Sequence, residues 1–242
     1  MHVPVLLDRC IELLGPALSA PDAILVDATL GLGGHSEAFL STFSDLTLVG
    51  VDRDPIALVK AGERLAKFGD RFVPRAGEHE NLASLLATVN GGRINAILFD
   101  LGVSSMQLDE PSRGFSYSRD APLDMRMNPQ DELNAAQIVN TYSEAELVGV
   151  LRDFGEERSA RRIAKAIIAA RNNAPITSTA ELAELVRDAI PQAAKRTGGH
   201  PAKRTFQALR IEINREIQGL PAALDAALGA LVVGGRIAVI SY

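Results

Sequence analysis

Four short apolar runs punctuate the first hundred residues: Ala23 to Ala28, Leu46 to Val51, Arg71 to Arg75 and Asn95 to Phe99. Runs of this length, bounded by polar and turn-forming residues, predict β-strands. Helical stretches lie between them. In Pro55 to Phe68, Asp54 suits the N-cap position and Pro55 the first helical turn. Strands alternating with helices predict right-handed βαβ units and a parallel sheet.

After Asp100 the rhythm changes. Residues 101–129 read as loop, punctuated by Gly102, Pro111, Gly114, Pro122 and Pro129. Ser143 and Glu146 then form a capping box ahead of Leu147, Val150, Leu151 and Phe154, a stripe at helical spacing. A second stripe is Ala160, Ile163, Ala164, Ile167 and Ile168. Ser178 and Glu181 cap a third helix carrying Leu182, Leu185, Val186 and Ile190. A Lys/Arg/Gly/His loop from Lys195 to Arg204 precedes a helix over about Thr205 to Gln218, with Phe206, Leu209, Ile213 and Ile217 on one face. A further helix spans about Pro221 to Leu231, and Gly234-Gly235 turns the chain into a fifth strand-like run, Arg236 to Ser241. The simplest architecture is α/β: a parallel-sheet domain over residues 1–108 and 206–242, with a small helical domain, 109–205, inserted after strand four. No internal repeat or low-complexity segment interrupts it.

The composition agrees with this. At 242 residues the chain can hold one α/β domain with an insertion, or two small domains. With 47% hydrophobic and 23% charged residues, it is neither disordered nor collagen-like. A single cysteine, Cys10, makes no internal disulfide and no zinc cluster, which suits a reducing cytosol; interleaved with Leu7, Leu13 and Leu14, it reads as a core residue. No apolar run approaches the roughly 18 residues of a membrane span, and Met1 to Leu14 lacks the basic start and cleavage site of a signal peptide. The expectation is a soluble cytoplasmic protein.

Charge adds one feature. The net charge is −5, yet residues 158–215 hold 12 Lys and Arg against 4 Asp and Glu, while the rest holds 13 against 26. A basic segment set against an acidic body is either a polyanion footprint or a set of solvated helix faces. Arg158, Arg161, Arg162 and Lys165 line up on one helical face and are candidates for a nucleic-acid backbone, with Arg204 and Arg210 of the same status. Arg210 has an alternative in Glu212 or Glu216.

The candidate chemistry gathers around the strand ends. The first strand runs into Asp27-Ala28-Thr29-Leu30-Gly31-Leu32-Gly33-Gly34-His35-Ser36. Glycines there allow a tight turn and let backbone amides approach a ligand at the next helix's N-terminus. Asp52 ends the second strand, 19 residues after Gly33, where a βαβ site places the acid that accepts from ribose hydroxyls. Asp27 would repel a pyrophosphate but suit an amino or sulfonium group, which favours S-adenosylmethionine over NAD. Asp100 ends the fourth strand, so the three carboxylates are expected to converge on one crevice. Cofactor contacts and a magnesium site are both open at this point, with cofactor contacts favoured.

These residues resemble a known family. Asp27 to Ser36 (DATLGLGGHS), Val51 to Pro55 (VDRDP), Phe99 to Leu108 (FDLGVSSMQL), Arg113 to Met127 (RGFSYSRDAPLDMRM), Gly155 to Ile163 (GEERSARRI) and His200 to Asn214 (HPAKRTFQALRIEIN) are similar to motifs of the bacterial ribosomal small-subunit methyltransferase H family. The resemblance runs from His2 to Ser241. It implies a Rossmann-like class I methyltransferase sheet and methylation of the exocyclic N4 of a cytidine in the decoding region of 16S rRNA, within the small ribosomal subunit. It implies S-adenosyl-L-methionine as cofactor, held by Gly33, Gly34, His35, Asp52, His79, Asp100 and Gln107. The family often carries an aromatic residue where this chain has His79. Its members also continue past this strand with His-Ser-Leu-Glu-Asp-Arg, a helix and a β-hairpin; if the sequence is complete, the fifth strand leaves an open edge, and either lower stability or coverage in a homodimer is expected.

For transfer to an amine, Asp100 is the candidate catalytic contact, because the Asp/Asn-Pro-Pro-aromatic loop of amino-group methyltransferases is replaced here by Asp100-Leu101-Gly102-Val103. Residues 114–127 read as a lid or substrate lip in which Asp124 and Arg126 either grip the nucleotide or brace the loop as an ion pair. Phe115 and Tyr117 are candidates for stacking a base, Phe115 fitting the core better. Two other classes stay open: an NAD-linked oxidoreductase using the same glycine loop, and a non-catalytic cofactor-binding remnant of the fold. No Ser/His/Asp or Cys/His spacing supports a hydrolase.

Overall fold

The computed structural model describes residues 4–191 and 200–241. The chain divides into two compact units, one of Met1–Ser104 with Glu216–Tyr242 and one of Ser105–Arg215.

The first unit is built from α1 (Leu7–Leu18), β1 (Ile24–Asp27), α2 (Gly34–Thr42), β2 (Thr47–Asp52), α3 (Pro55–Leu65), β3 (Phe72–Ala76), α4 (Leu82–Ala87) and β4 (Ile94–Asp100), and it closes with a last helix and strand, 220–230 and 231–240. Among the described residues the sheet has five parallel strands in the order β3-β2-β1-β4 followed by the last strand. The chain winds outward from β1 to β3, then returns to β1's other side with β4. That reversal opens a crevice beyond the carboxyl ends of β1 and β4. Pro74 lies in β3, at the sheet's edge, where a residue without an N–H is tolerated.

Strand residues alternate between two apolar layers. Leu25, Leu48, Ala96 and Leu98 pack with Cys10, Leu14, Phe39, Leu40 and Leu65 from α1 to α3. Val26, Val49, Val51, Ile97 and Phe99 pack on the other face with Leu82 and Leu86 of α4 and with Ala223 and Ala227 of the last helix. Each fully buried leucine or phenylalanine contributes roughly 1.5–3 kcal/mol, so both layers are needed to hold the strand ends in register. Cys10 is 3% exposed, a core residue as its spacing predicts. Among the described residues no helix is long and apolar enough to cross a membrane.

The second unit contains α5 (Ser105–Asp109), α6 (Ala135–Thr141), α7 (Glu144–Asp153), α8 (Ala160–Arg171), α9 (Thr179–Ala189) and α10 (Lys203–Asn214). The last helix and strand of the first unit are then α11 (Leu220–Ala230) and β5 (Leu231–Ile240). The expected caps form: Asp54 accepts from Ile56 N, Ser143 and Glu146 make a reciprocal capping box, and Ser178 accepts from Glu181 N. Glu181 reaches back to Thr177 N rather than to the cap residue.

The structure departs from the hydrophobic pattern in several places. Helix α6 was hidden by its short length and polar start, yet Asn134 and Gln137 give it a complete capping box. Helix α10 stops at Asn214, short of Gln218, because Arg215 turns left-handed at φ 48°. That helix packs against α6 and α7, which places residues 206–215 with the inserted unit. Gly234-Gly235 lies within β5 as a bulge instead of before it as a turn. The register jumps from Ile94 opposite Leu231 to Ala96 opposite Arg236, and Gly234 takes φ 84°. Residues 195–199 of the expected 195–204 loop fall outside the described residues, and Lys203 and Arg204 already belong to α10.

Candidate active site

The turn after β1 is shaped by two glycines. Gly33 precedes α2 at φ 73°, a conformation unfavourable to a side chain, and an added Cβ would lie 3.1 Å from Leu65 Cδ1. At Gly34 a Cβ would fall 2.7 Å from Pro4 Cγ, so the N-terminal segment closes directly over the loop. The loop is also tied from behind: Leu30 N donates to Val51 O at 3.0 Å, and Arg64 bridges Leu32 O and the Glu37 carboxylate. Backbone amides held this firmly form a rigid cradle at the start of α2.

Three carboxylates end adjacent strands, as their spacing predicts, but they do different things. Asp27 is 1% exposed and is committed internally, accepting from Ser36 Oγ at 2.6 Å and from Thr29 N at 3.3 Å. It organises the loop and the first turn of α2; the expectation that it faces a ligand's cation is not met, because burial leaves it no open side. Burial raises its pKa. Asp52 accepts from Gly31 N at 2.7 Å and from Asp54 N at 2.9 Å, and keeps lone pairs to spare. Burial pushes its carboxyl up to about 6. Asp100 is the most accessible, its side chain 27% exposed. Its backbone N–H donates to Thr29 Oγ1, but among the described residues no group hydrogen-bonds its carboxylate. Burial raises its pKa too, against the pull of His35. Among the described residues no group of three or more potential ligands is placed to hold a metal ion.

His35 is buried, with Nε2 2.9 Å from Val5 O and Nδ1 3.7 Å from Asp100 Oδ2. With Nε2–H donated to the carbonyl, the ring is fixed and Nδ1 faces the carboxylate. His79 sits edge-on to Phe99, ring centroids 5.7 Å apart; burial and then the nearby Arg53 lower its pKa. Gln107 belongs to the second unit and is 5% exposed.

In the second unit, Asp124 and Arg126 are each other's partners. Arg126 Nε and Nη2 donate to the two carboxylate oxygens at 2.8 and 2.7 Å, and Nη1 donates to Asp131 O. Residues 114–127 are a braced segment. Arg113 donates to the Arg126 and Met127 carbonyls, Thr179 ties the segment to α9 through Arg119 O and Ala121 N, and Met125 is held left-handed at φ 64° while completely buried. Asn214 clamps that strained residue, accepting from Met127 N and donating to Met125 O. Phe115 is 6% exposed, in the core.

Arg161, Arg162 and Lys165 are exposed on α8, and Arg158 is exposed just before the N-cap Ser159, outside the helix to which its spacing assigned it. No carboxylate among the described residues pairs with any of the four. Arg161 lines an open depression with Glu144, Ala145 and Val148. Arg204 donates to Glu156 O, and Arg210 is half-buried. Sequence reasoning missed Thr29, Ser36, Val5 and Asn214. The first two lie inside the glycine motif, where their hydroxyls are a readable signal; Val5 acts only through its carbonyl, which no pattern reveals.

Comparison with known proteins adds the family. The chain is 59% identical over 246 residues to a protein of Mycolicibacterium smegmatis named ribosomal RNA small subunit methyltransferase H, covering all of this chain and 66% of that one. Its similarity to the proteins of the same name from Mycolicibacterium gilvum and Streptomyces avermitilis is 59% and 56% identity, again over the whole chain and over 65% and 76% of theirs. The chain thus spans about two thirds of the length of the first two relatives. The sequence profile of the MraW methylase family matches residues 1–242, and the chain belongs to that family.

Proposed function

We propose that the protein is an S-adenosyl-L-methionine-dependent methyltransferase acting on the N4 amino group of a cytidine in the decoding region of 16S rRNA, within the small ribosomal subunit. The observation that carries this reading is the crevice at the carboxyl ends of β1, β2 and β4. There a rigid glycine turn is hydrogen-bonded to a carboxylate, Asp52, that still has acceptor capacity. Vicinal ribose hydroxyls are the donors that match it, and Gly33, Gly34, His35 and His79 of the same unit complete the proposed cofactor contacts. A carboxylate with its cation supplied internally would not serve.

The cofactor supplies a methyl group already activated as a sulfonium, so the protein's task is positioning. The cytosine amine is a poor nucleophile because its lone pair is delocalised into the ring. Asp100 accepts a hydrogen bond from that amine and takes the departing proton. Its raised pKa suits it to that role. Arg158, Arg161, Arg162 and Lys165 hold RNA phosphates, with Arg204 beside them in role; Asp124 and Arg126 shape the segment that borders the substrate.

The test is methyl transfer from labelled S-adenosyl-L-methionine to undermethylated 30S subunits, followed by nucleoside mass spectrometry. N4-methylcytidine in the digest is expected. A different methylated nucleoside would overturn the assignment of the amine, and absence of cofactor binding in a parallel titration would overturn the methyltransferase reading itself. Charge reversal at Arg161 and Arg162 is expected to weaken RNA binding and flatten its salt dependence while leaving cofactor affinity unchanged.

A further inference from the structure

The second unit carries an aromatic ladder that neither the cofactor nor the phosphate contacts use. Phe206, on the first turn of α10, is 3% exposed. Tyr117 packs on it edge to face, with ring centroids 5.7 Å apart and planes at 85°. His200 then lies flat on Tyr117, centroids 4.4 Å apart and planes within 13°. The ladder thus climbs from core to solvent: Phe206 buried, Tyr117 half-buried, His200 exposed. Among the described residues no further ring stacks on His200.

The outermost ring is oriented by the backbone. His200 Nδ1 accepts from Ala202 N at 3.2 Å, and its carbonyl accepts from Lys203 N at 3.0 Å, so the residue forms the turn that starts α10. With Nδ1 an acceptor, Nε2 carries the proton and points away from the turn. An exposed aromatic face costs free energy, and here both Tyr117 and the turn hold it flat. Lys203 and Arg204, both exposed, follow directly on the same turn, within the segment of +8 charge between residues 158 and 215. A flat π-face followed along the chain by two exposed cations fits a planar ring attached to a phosphate backbone.

We infer that His200, backed by Tyr117, is a stacking platform for an unpaired nucleobase of the RNA substrate, a binding residue distinct from the phosphate contacts on α8. This deepens the proposed rRNA reading and rests on it. The platform fixes one base by its face alone, so it adds affinity and register without choosing among base identities, because every base offers a π-face.

Two ring-deleting variants separate stacking from capping. His200→Ala removes both the ring and the cap. His200→Asn removes the ring but keeps a side-chain acceptor for Ala202 N. His200→Phe restores the ring without the acceptor. The probe is a single-stranded RNA oligonucleotide carrying one 2-aminopurine, titrated with the 242-residue chain and read both by anisotropy and by 2-aminopurine quenching. The wild-type protein and His200→Phe are expected to quench, whereas His200→Ala and His200→Asn are expected to lose quenching and to bind about 5- to 150-fold more weakly. Melting temperatures of all four should agree within a few degrees, since the ring is exposed. Unchanged affinity and quenching in His200→Asn would overturn the platform. So would loss in His200→Phe equal to that in His200→Ala, because the cap would then be the cause. Failure of the wild-type chain to bind RNA at all would overturn the rRNA reading, a result distinguishable from either.

Discussion

Asp52 and Asp124 look alike in the sequence, each an acid in a polar motif two positions before another charged residue, yet the structure treats them in opposite ways. Among the described residues Asp52 has no cation; two backbone amides hold it, burial raises its pKa to about 6, and lone pairs remain. Asp124 has a guanidinium clamped across both oxygens, and Arg126 with Arg113 holds its pKa below the usual range despite the cost of burial. The difference teaches how to tell a ligand-binding carboxylate from a bracing one. A carboxylate left short of charge by its own protein is available to a ligand, and one already saturated serves the fold.

The comparison can be broken at its structural end first. Asn214→Ala should produce the largest effect. It strips a completely buried amide from Met125 O and Met127 N, leaving the strained segment around Met125 without its clamp. A loss of about 2–4 kcal/mol in denaturant unfolding is expected. A cost under ~0.5 kcal/mol would show that the segment is not braced as described.

The next effect is a pH dependence of opposite sign in two quantities. In the proposed contact ribose hydroxyls donate to the ionised form of Asp52, so cofactor affinity should be flat above about pH 7 and fall about tenfold by pH 5. Because the folded pKa of Asp52 is raised, its contribution to stability is fully present below the unfolded value near 4 and is lost as pH rises through about 6. Acidification from pH 7 to 5 should therefore stabilise the ligand-free protein while weakening the complex. Asp124 adds nothing in this window. Its folded pKa is lowered, so its contribution is present above about 4 and fades only as pH falls further. Affinity that stays constant from pH 7 to 5 by calorimetry would remove Asp52 from the ribose.

The smallest effect is Asp124→Asn. The pair is about a quarter exposed, so solvent screens it, and breaking it should cost about 1 kcal/mol in thermal unfolding. Loss of RNA binding without loss of stability would instead return Asp124 and Arg126 to a direct grip on the nucleotide.

Much of the first unit was legible because each of its signals is local. Asp54 caps α3 from two positions before Ile56, and Asp52 ends β2 where the apolar run breaks off. The second unit was less so. Helix α6 is only two turns long, with its apolar face interrupted, and the left-handed Met125 is held by Asn214 from 89 positions away. Side-chain clamps on backbone atoms leave no periodic trace. Asp27 shows the same limit from the other side: its position at the strand end was plain, but not its commitment to Ser36 Oγ, which turns a ligand contact into a hinge pin for the loop. The bulge in β5 reads as a turn because Gly-Gly marks both.

The central claim is that the Asp52 crevice holds the cofactor while the Asp124 pair holds the fold. Calorimetric titration of S-adenosyl-L-methionine into the wild-type chain, Asp52→Asn and Asp124→Asn at pH 7 tests it most directly. Wild type and Asp124→Asn should bind alike, and Asp52→Asn about 10- to 100-fold more weakly, the loss of a charge-assisted contact. Equal affinity in Asp52→Asn and the wild type, or an equal loss in Asp124→Asn, would contradict the account.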